Sequence, residues 1–203
     1  IIQGCEVTGF IRNGEHIVGV QTTRGAIHAD RVGLAVAGST GHVAGLAGLR
    51  LPIESHVLQA FVTEPVKPVI NTVATFEVGD FYISQSDRGS LVFGGELDRY
   101  NSYAQRGNLP AVHDVLEAAV TMFPMLGRVR LLRHWGGVVD MTPDGSPIIC
   151  KSPIDGLFLN CGWCYGGFKA THASGGCFAS TRANDRAHEL KAAHTLERFA
   201  GGR

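Results

Sequence analysis

The residue types that could do chemistry are concentrated in Cys161-Gly162-Trp163-Cys164-Tyr165-Gly166-Gly167-Phe168-Lys169-Ala170-Thr171. This stretch follows a short apolar run, Leu157-Phe158-Leu159-Asn160, and precedes residues 168–183, which can form a helix. Gly162, Gly166 and Gly167 allow backbone to come within van der Waals distance of a flat ligand, and a helix N-terminus offers N–H donors to developing negative charge. Lys169 falls in the first helical turn, where the dipole prefers an acid. A cation there suits a substrate carboxylate, and a solvated surface lysine fits the same position. Cys161-x-x-Cys164 has the spacing of a dithiol, without the early βαβ setting that such a pair needs. Zinc on Cys161, Cys164 and His172 would need Cys177 as a fourth ligand. Nine histidines with no nucleophile elbow and no placed acid define no hydrolase.

A second candidate turn is Ala37-Gly38-Ser39-Thr40-Gly41, between the apolar run Val32–Ala37 and the Ala/Leu-rich stretch 42–49. The run suits a strand buried on both faces, and the turn could present amides to a polar ligand or simply connect two elements. It is not G-x-G-x-x-G.

The elements that position these turns follow from periodicity. Alternation around Cys5–Ile11, Ile17–Val20 and Ala26–Asp30, punctuated by Asn13-Gly14 and Arg24-Gly25, predicts a strand series. From Leu51 to Phe93, Val57, Gln59, Phe61 and Thr63 alternate with Leu58, Ala60 and Val62, and an Asp87-Arg88-Gly89 turn joins Phe81-Tyr82-Ile83 to Ser90–Phe93. These read as antiparallel strands of a second sheet. Residues 110–123 predict a helix capped by Asn108, with Val112, Val115, Leu116, Ala119, Met122 and Phe123 on one face. Strand character resumes over 131–139, and Thr142–Pro147 is a loop. The remainder to Arg203 reads as a frayed continuation of the last helix.

Composition bounds the function. With 18 Lys+Arg against 18 Asp+Glu the formal charge is zero, which argues against a nucleic-acid binder and against a polybasic membrane-surface protein. No apolar run reaches the ~18 residues of a spanning helix. Twenty-seven glycines in 203 residues is well above the usual ~7%. Five cysteines are too few for a disulfide scaffold and suit reduced thiols in the cytoplasm.

Asn160-Cys161-Gly162-Trp163 with Gly166-Gly167-Phe168-Lys169-Ala170-Thr171 resembles the C-terminal flavin motif of the beta subunits of heterotetrameric sarcosine oxidases, within the D-amino-acid-oxidase-like flavoproteins. Cys5–Gly9, Val36-Ala37-Gly38, Leu51–His56, Tyr82–Asp87, Gln105-Arg106-Gly107, Trp135-Gly136-Gly137 and Pro143–Ile149 fit the same family in order. The resemblance implies an α+β / α/β fold, a partial FAD/NAD(P)-binding-type domain (1–50 and 141–203) interleaved with an antiparallel-sheet substrate domain (51–140). It also implies FAD-dependent oxidation of sarcosine, with electrons passing to FMN and then to oxygen to give hydrogen peroxide. NAD and tetrahydrofolate belong to the family's full assembly. The implied partners are a small amino-acid-like amine and the other oxidase subunits.

Carried over by residue, Val7 would meet the adenine half of FAD, and Ala37 and Gly38 would pass near the cofactor. Gly162, Cys164, Gly166, Gly167, Phe168 and Lys169 would face the flavin, Lys169 also pairing with substrate carboxylate. Tyr82 is a candidate wall of the substrate pocket, or a core aromatic. Cys164 stands where the family loop has glycine, and His172-Ala173-Ser174 where it has a proline-led segment. The family's dinucleotide fingerprint, ribose-binding acid and FMN-carrying histidine are expected ahead of Ile1, so the chain reads as a fragment. A stand-alone fragment without flavin, serving as an interaction module, is the alternative; dimethylglycine, proline or a D-amino acid are alternative substrates.

Overall fold

The computed structural model of the chain describes residues 1–76, 81–185 and 189–200. In order, the elements are β1 (Val7–Asn13), β2 (His16–Thr22), β3 (Gly25–His28), β4 (Val32–Leu34), α1 (Thr40–Leu46), β5 (Glu54–Pro65), β6 (Ala74–Phe76), β7 (Phe81–Gln85), β8 (Ser90–Leu97), α2 (Leu109–Met122), β9 (Leu131–Met141), β10 (Ile148–Lys151), β11 (Leu157–Cys161) and α3 (Gly167–Asn184). They divide into two units, Ile1–Ser55 with Asp140–Arg203, and His56–Val139.

In the first unit β1, β2 and β3 form an antiparallel meander. A second sheet has the order β10-β11-β4, with β10 antiparallel and β4 parallel to β11. Its core gathers Ile17, Leu34, Ala44, Ile148, Leu157, Leu159 and Cys161. β4 is shorter and less buried than its apolar run predicts: Leu34 is buried, but Gly33 is exposed, and β11 is the only strand paired with β4 among the described residues. β10 is a strand that the two flanking prolines, Pro147 and Pro153, concealed from periodicity.

The last helix does not continue as the composition suggested. The Arg31 guanidinium donates to the carbonyls of Arg182 and Ala183, satisfying two terminal acceptors of α3. Asp185 then turns left-handed (φ 53) and ends the helix. The chain returns in short 3-10 turns at Glu189–His194 and Leu196–Phe199, with Leu196 and Phe199 packed on the core. Residues 186–188 and 201–203, part of the same expectation, lie outside the described residues.

The second unit is a five-stranded sheet of order β6-β7-β8-β5-β9 covered by α2. β5 shows why period-2 patterning works: Val57, Gln59, Phe61 and Thr63 are buried, whereas Leu58 and Val62 are half-buried. Phe61 stacks on Phe93, and Phe81 packs against Phe93 and Phe123. α2 has the predicted cap, with the Asn108 side chain accepting the Ala111 N–H. Val115 and Ala119 of its apolar face are buried, but Met122 is exposed and Ala111 takes a buried position instead. The antiparallel sheet, the mixed second sheet and the packed helices make the chain α+β. Among the described residues no helix is long and apolar enough to cross a membrane.

Candidate functional site

β11 ends at buried Cys161, and α3 begins at Gly167, so five residues must turn the chain without sheet bonds. Gly162 starts the turn in the left-handed region (φ 68), and a Cβ there would stand 2.5 Å from Thr142 Cγ2. Conformation and space both require glycine. The Gly162 N–H donates to Asp140 Oδ2 (2.5 Å). The Trp163 N–H donates to the same carboxyl, and the Cys164 N–H donates to the Asp140 carbonyl (3.0 Å). The Trp163 indole donates to Asn160 Oδ1 (2.8 Å), and the Gly166 N–H to the Trp163 carbonyl (2.8 Å).

The next three amides, Gly167, Phe168 and Lys169, are first-turn donors with no acceptor among the described residues, and no side chain caps that end. Phe168 is 95% exposed beside them. Lys169, also exposed, donates to the Tyr165 carbonyl at 3.3 Å. This helix terminus presents free N–H groups, one ammonium and one uncovered aromatic ring, a donor set suited to an anionic or carbonyl-bearing flat ligand.

Asp140 sits behind the turn, 3% exposed. Burial pushes its carboxyl above the usual range, and the N–H donors of Gly162, Asp140 itself and Trp163, with the Thr40 side chain, offset part of that rise. Thr40 brings in the other candidate turn. Ala37 there is left-handed (φ 45), as is Cys164 (φ 49). A non-glycine in this region costs about 1–2 kcal/mol; the Cys164 N–H ends on the Asp140 carbonyl, and the Ala37 carbonyl accepts from Thr40. The Thr40 hydroxyl donates to the Ala37 carbonyl (2.6 Å), and Ser55 Oγ donates to the Gly38 carbonyl (2.7 Å). Val7 lines a cleft of about 600 Å³ with Phe10, Leu34, Val36, Ser39 and His42. The structure therefore brings Val7 beside the 36–39 segment, and the 37–40 turn beside the Gly162–Cys164 turn.

Cys161 is buried, and burial followed by the nearby Asp140 charge pushes its thiol far up. Cys164 Sγ lies 3.6 Å from Thr142 Oγ1 and from the Gly162 carbonyl. A thiol held protonated is not the thiolate that dithiol chemistry requires. Among the described residues no three His, Cys, Asp or Glu side chains gather as metal ligands.

Tyr82 belongs to the second unit. Its neighbours Phe81 and Ile83 enter the aromatic core, so alternation turns Tyr82 to the other face, half-buried. Its ring lies over Gly94: a Cβ on Gly94 would stand 2.7 Å from the phenol oxygen and 2.4 Å from the Gln59 carbonyl. Burial raises the phenol pKa. Asp140 escaped the sequence reading. The available signal was a carboxylate inside the apolar strand Val138-Val139-Asp140-Met141.

The sequence profile described as FAD dependent oxidoreductase matches residues 1–181. The chain is 59% identical over 202 residues to the sarcosine oxidase subunit beta of Rhizobium meliloti (strain 1021), covering 100% of this chain and 49% of that protein. It is 51% identical to the protein of the same description from Arthrobacter sp, covering 100% of this chain and 50% of that one. The chain thus spans about half the length of these curated relatives. Among solved structures, L-proline dehydrogenase from P. horikoshii superposes with a TM-score of 0.88 at 25% identity, over 98% of this chain and 55% of that one.

Proposed function

Because this chain belongs to the FAD dependent oxidoreductase family, we propose that it forms the flavin-holding loop and the substrate-side sheet of a sarcosine-oxidase-type beta subunit. The observation that carries the proposal is the run of three acceptor-free amides, Gly167, Phe168 and Lys169, at the start of α3. The mainly apolar cleft at Val7 and Val36 supports a nucleotide end of the same cofactor. When bound, FAD supplies acceptance of a hydride from the carbon beside the amine. The α3 amides would stabilise negative charge on the cofactor's carbonyl side, with no reorganisation at the moment of reaction. Lys169, released from the Tyr165 carbonyl, would hold the carboxylate of a small amino-acid-like substrate. Tyr82 is proposed as a wall of the substrate pocket.

Sarcosine is the substrate we favour, from the identity to the two sarcosine oxidase subunits. Dimethylglycine, proline or a D-amino acid would present the same carboxylate to Lys169. Oxygen as final acceptor, hydrogen peroxide as product, and FMN, NAD and tetrahydrofolate as further cofactors belong to this reading, with no residue of this chain assigned to them. The partners are the other oxidase subunits, and the five free thiols support a cytoplasmic setting. The test is the visible spectrum of the full-length protein, recorded before and after anaerobic addition of sarcosine. Flavin bands that bleach are expected. Absence of those bands overturns the proposal, and bands bleached only by another amine correct the substrate.

A second reading rests on the half-length match: the 203 residues alone fold without flavin. Calorimetric titration of the isolated chain with FAD decides it, and tight stoichiometric binding removes it.

A further inference from the structure

We propose that Asp140 is the positioning residue of the flavin-holding turn, taking the amides of Gly162, Trp163 and Cys164 and leaving those of Gly167, Phe168 and Lys169 for the cofactor. The inference rests on the flavin reading above and deepens it.

A strand-to-helix turn of five residues would ordinarily leave a continuous series of unpaired N–H groups. Here three successive amides end on a single residue, two on its carboxyl and one on its carbonyl. One residue thus holds both Gly162 at φ 68 through its carboxyl and Cys164 at φ 49 through its carbonyl. The bonds from Gly162 and Trp163 to the carboxyl are charge-assisted, about twice as strong as neutral ones, and the neutral bond from Cys164 to the Asp140 carbonyl holds the left-handed Cys164 beside them. The effect on the helix is directional. With the amides of 162–164 turned toward Asp140 and that of Gly166 held by Trp163, the amides of Gly167, Phe168 and Lys169, without an acceptor among the described residues, stand in the first turn of α3.

The same carboxyl lies near the Thr40 side chain, whose hydroxyl proton goes to the carbonyl of the left-handed Ala37. The two turns expected to approach the cofactor therefore both border one buried carboxyl, contributed by neither turn. Asp140 is placed 22 residues before Gly162, near the end of β9. It touches no reacting atom in this account and acts through the amides it occupies.

The test compares amide hydrogen exchange in the full-length wild-type protein with and without FAD, and FAD affinity and midpoint potential in wild type and Asp140→Asn. Exchange at 162–164 is expected to be slow in both forms. Exchange at 167–169 is expected to be fast without FAD and slow with it. In D140N one oxygen remains to accept Gly162, while the new NH2 opposes the Trp163 N–H. FAD is expected to bind at least tenfold more weakly and the potential to move positive, because a negative charge behind the turn is gone, with a melting temperature close to wild type. Amides 162–164 that become protected only when FAD binds overturn the proposal, and this reading needs no variant to fold. A D140N protein with wild-type affinity and potential overturns it equally. Wild-type protein without flavin bands is a different failure, that of the flavin reading, and the inference falls with it.

Discussion

At the scale of single residues, Lys169 and Gly94 carry opposite kinds of information. Lys169 is exposed, and among the described residues its ammonium bonds the Tyr165 carbonyl one turn back, so little of its geometry serves the fold. A charge-assisted hydrogen bond to a substrate carboxylate is worth about 1.5–3 kcal/mol, or roughly ten- to a hundredfold in binding. Lys169→Met in the flavin-loaded full-length protein should therefore raise KM for sarcosine by that factor with an unchanged melting temperature. Steady-state kinetics check it, and an unaltered KM removes the carboxylate role. Gly94 is the reverse case, a position defined by what surrounds it. Gly94→Ala would press a methyl group onto the Gln59 carbonyl and the Tyr82 ring, an overpacking that costs about 1–3 kcal/mol, to be measured by denaturant unfolding. Gln85 shows how much one polar side chain can organise. Its oxygen accepts the N–H groups of Val69 and Ile70, and its nitrogen donates to the carbonyls of Val66, Lys67 and Gly89, tying a proline-broken loop to the end of β7.

At the scale of elements, α2 was legible because independent signals coincide: a capping Asn108, Pro110 in the first turn, an apolar stripe and Pro124 beyond the end. The cap does more than its pattern announces. The Asn108 side-chain nitrogen donates to Asp98 Oδ1, the same oxygen that accepts from buried Gln59. Asp at this position would cap as well as Asn does, yet it removes the donor and faces a second carboxylate. Asn108→Asp should thus destabilise the protein despite retaining the cap, by at least the ~1 kcal/mol that Asn108→Ala loses as a cap. Chemical denaturation of both variants checks the order. β10 and the end of α3 were illegible for the converse reason. A four-residue strand between two prolines carries no measurable period, and nothing local announces that Arg31 will cap a helix that ends some 150 residues away. Asp140 was illegible too. A lone acid on a strand is ordinary until the strand delivers it to amides 22 residues further on.

At the scale of the whole molecule, the chain is tied back on itself after its last long helix. Arg198 grips Asp144 in bidentate fashion, Nε to Oδ2 at 2.7 Å and an NH2 group to Oδ1 at 3.2 Å, and also donates to the Ser146 carbonyl at 2.6 Å. Leu196 and Phe199 follow it into the first unit's core, and the Arg198 guanidinium lies 4.2 Å from the Phe199 ring centroid. The loop held in this way, Thr142–Pro147, supplies the Thr142 methyl that abuts Gly162, so the C-terminal return buttresses the candidate site from behind. Arg198 holds the Asp144 carboxyl down to about 2, against ~3.9 for an unfolded chain. A depressed carboxylate pKa contributes stability that is fully present above the unfolded value and is lost as pH falls through the folded one. The clamp should therefore be intact above about pH 4 and be lost progressively toward pH 2. Asp144 is partly exposed, so salt screening keeps the contribution modest. The observable is local: protease cleavage after the 3-10 turns should rise between pH 4 and pH 2 in wild type, measured with an acid-active protease. In Asp144→Asn, cleavage should already be raised at pH 5 and change little below it. A wild-type cleavage rate that is flat across this window would show that Leu196 and Phe199 alone hold the return in place.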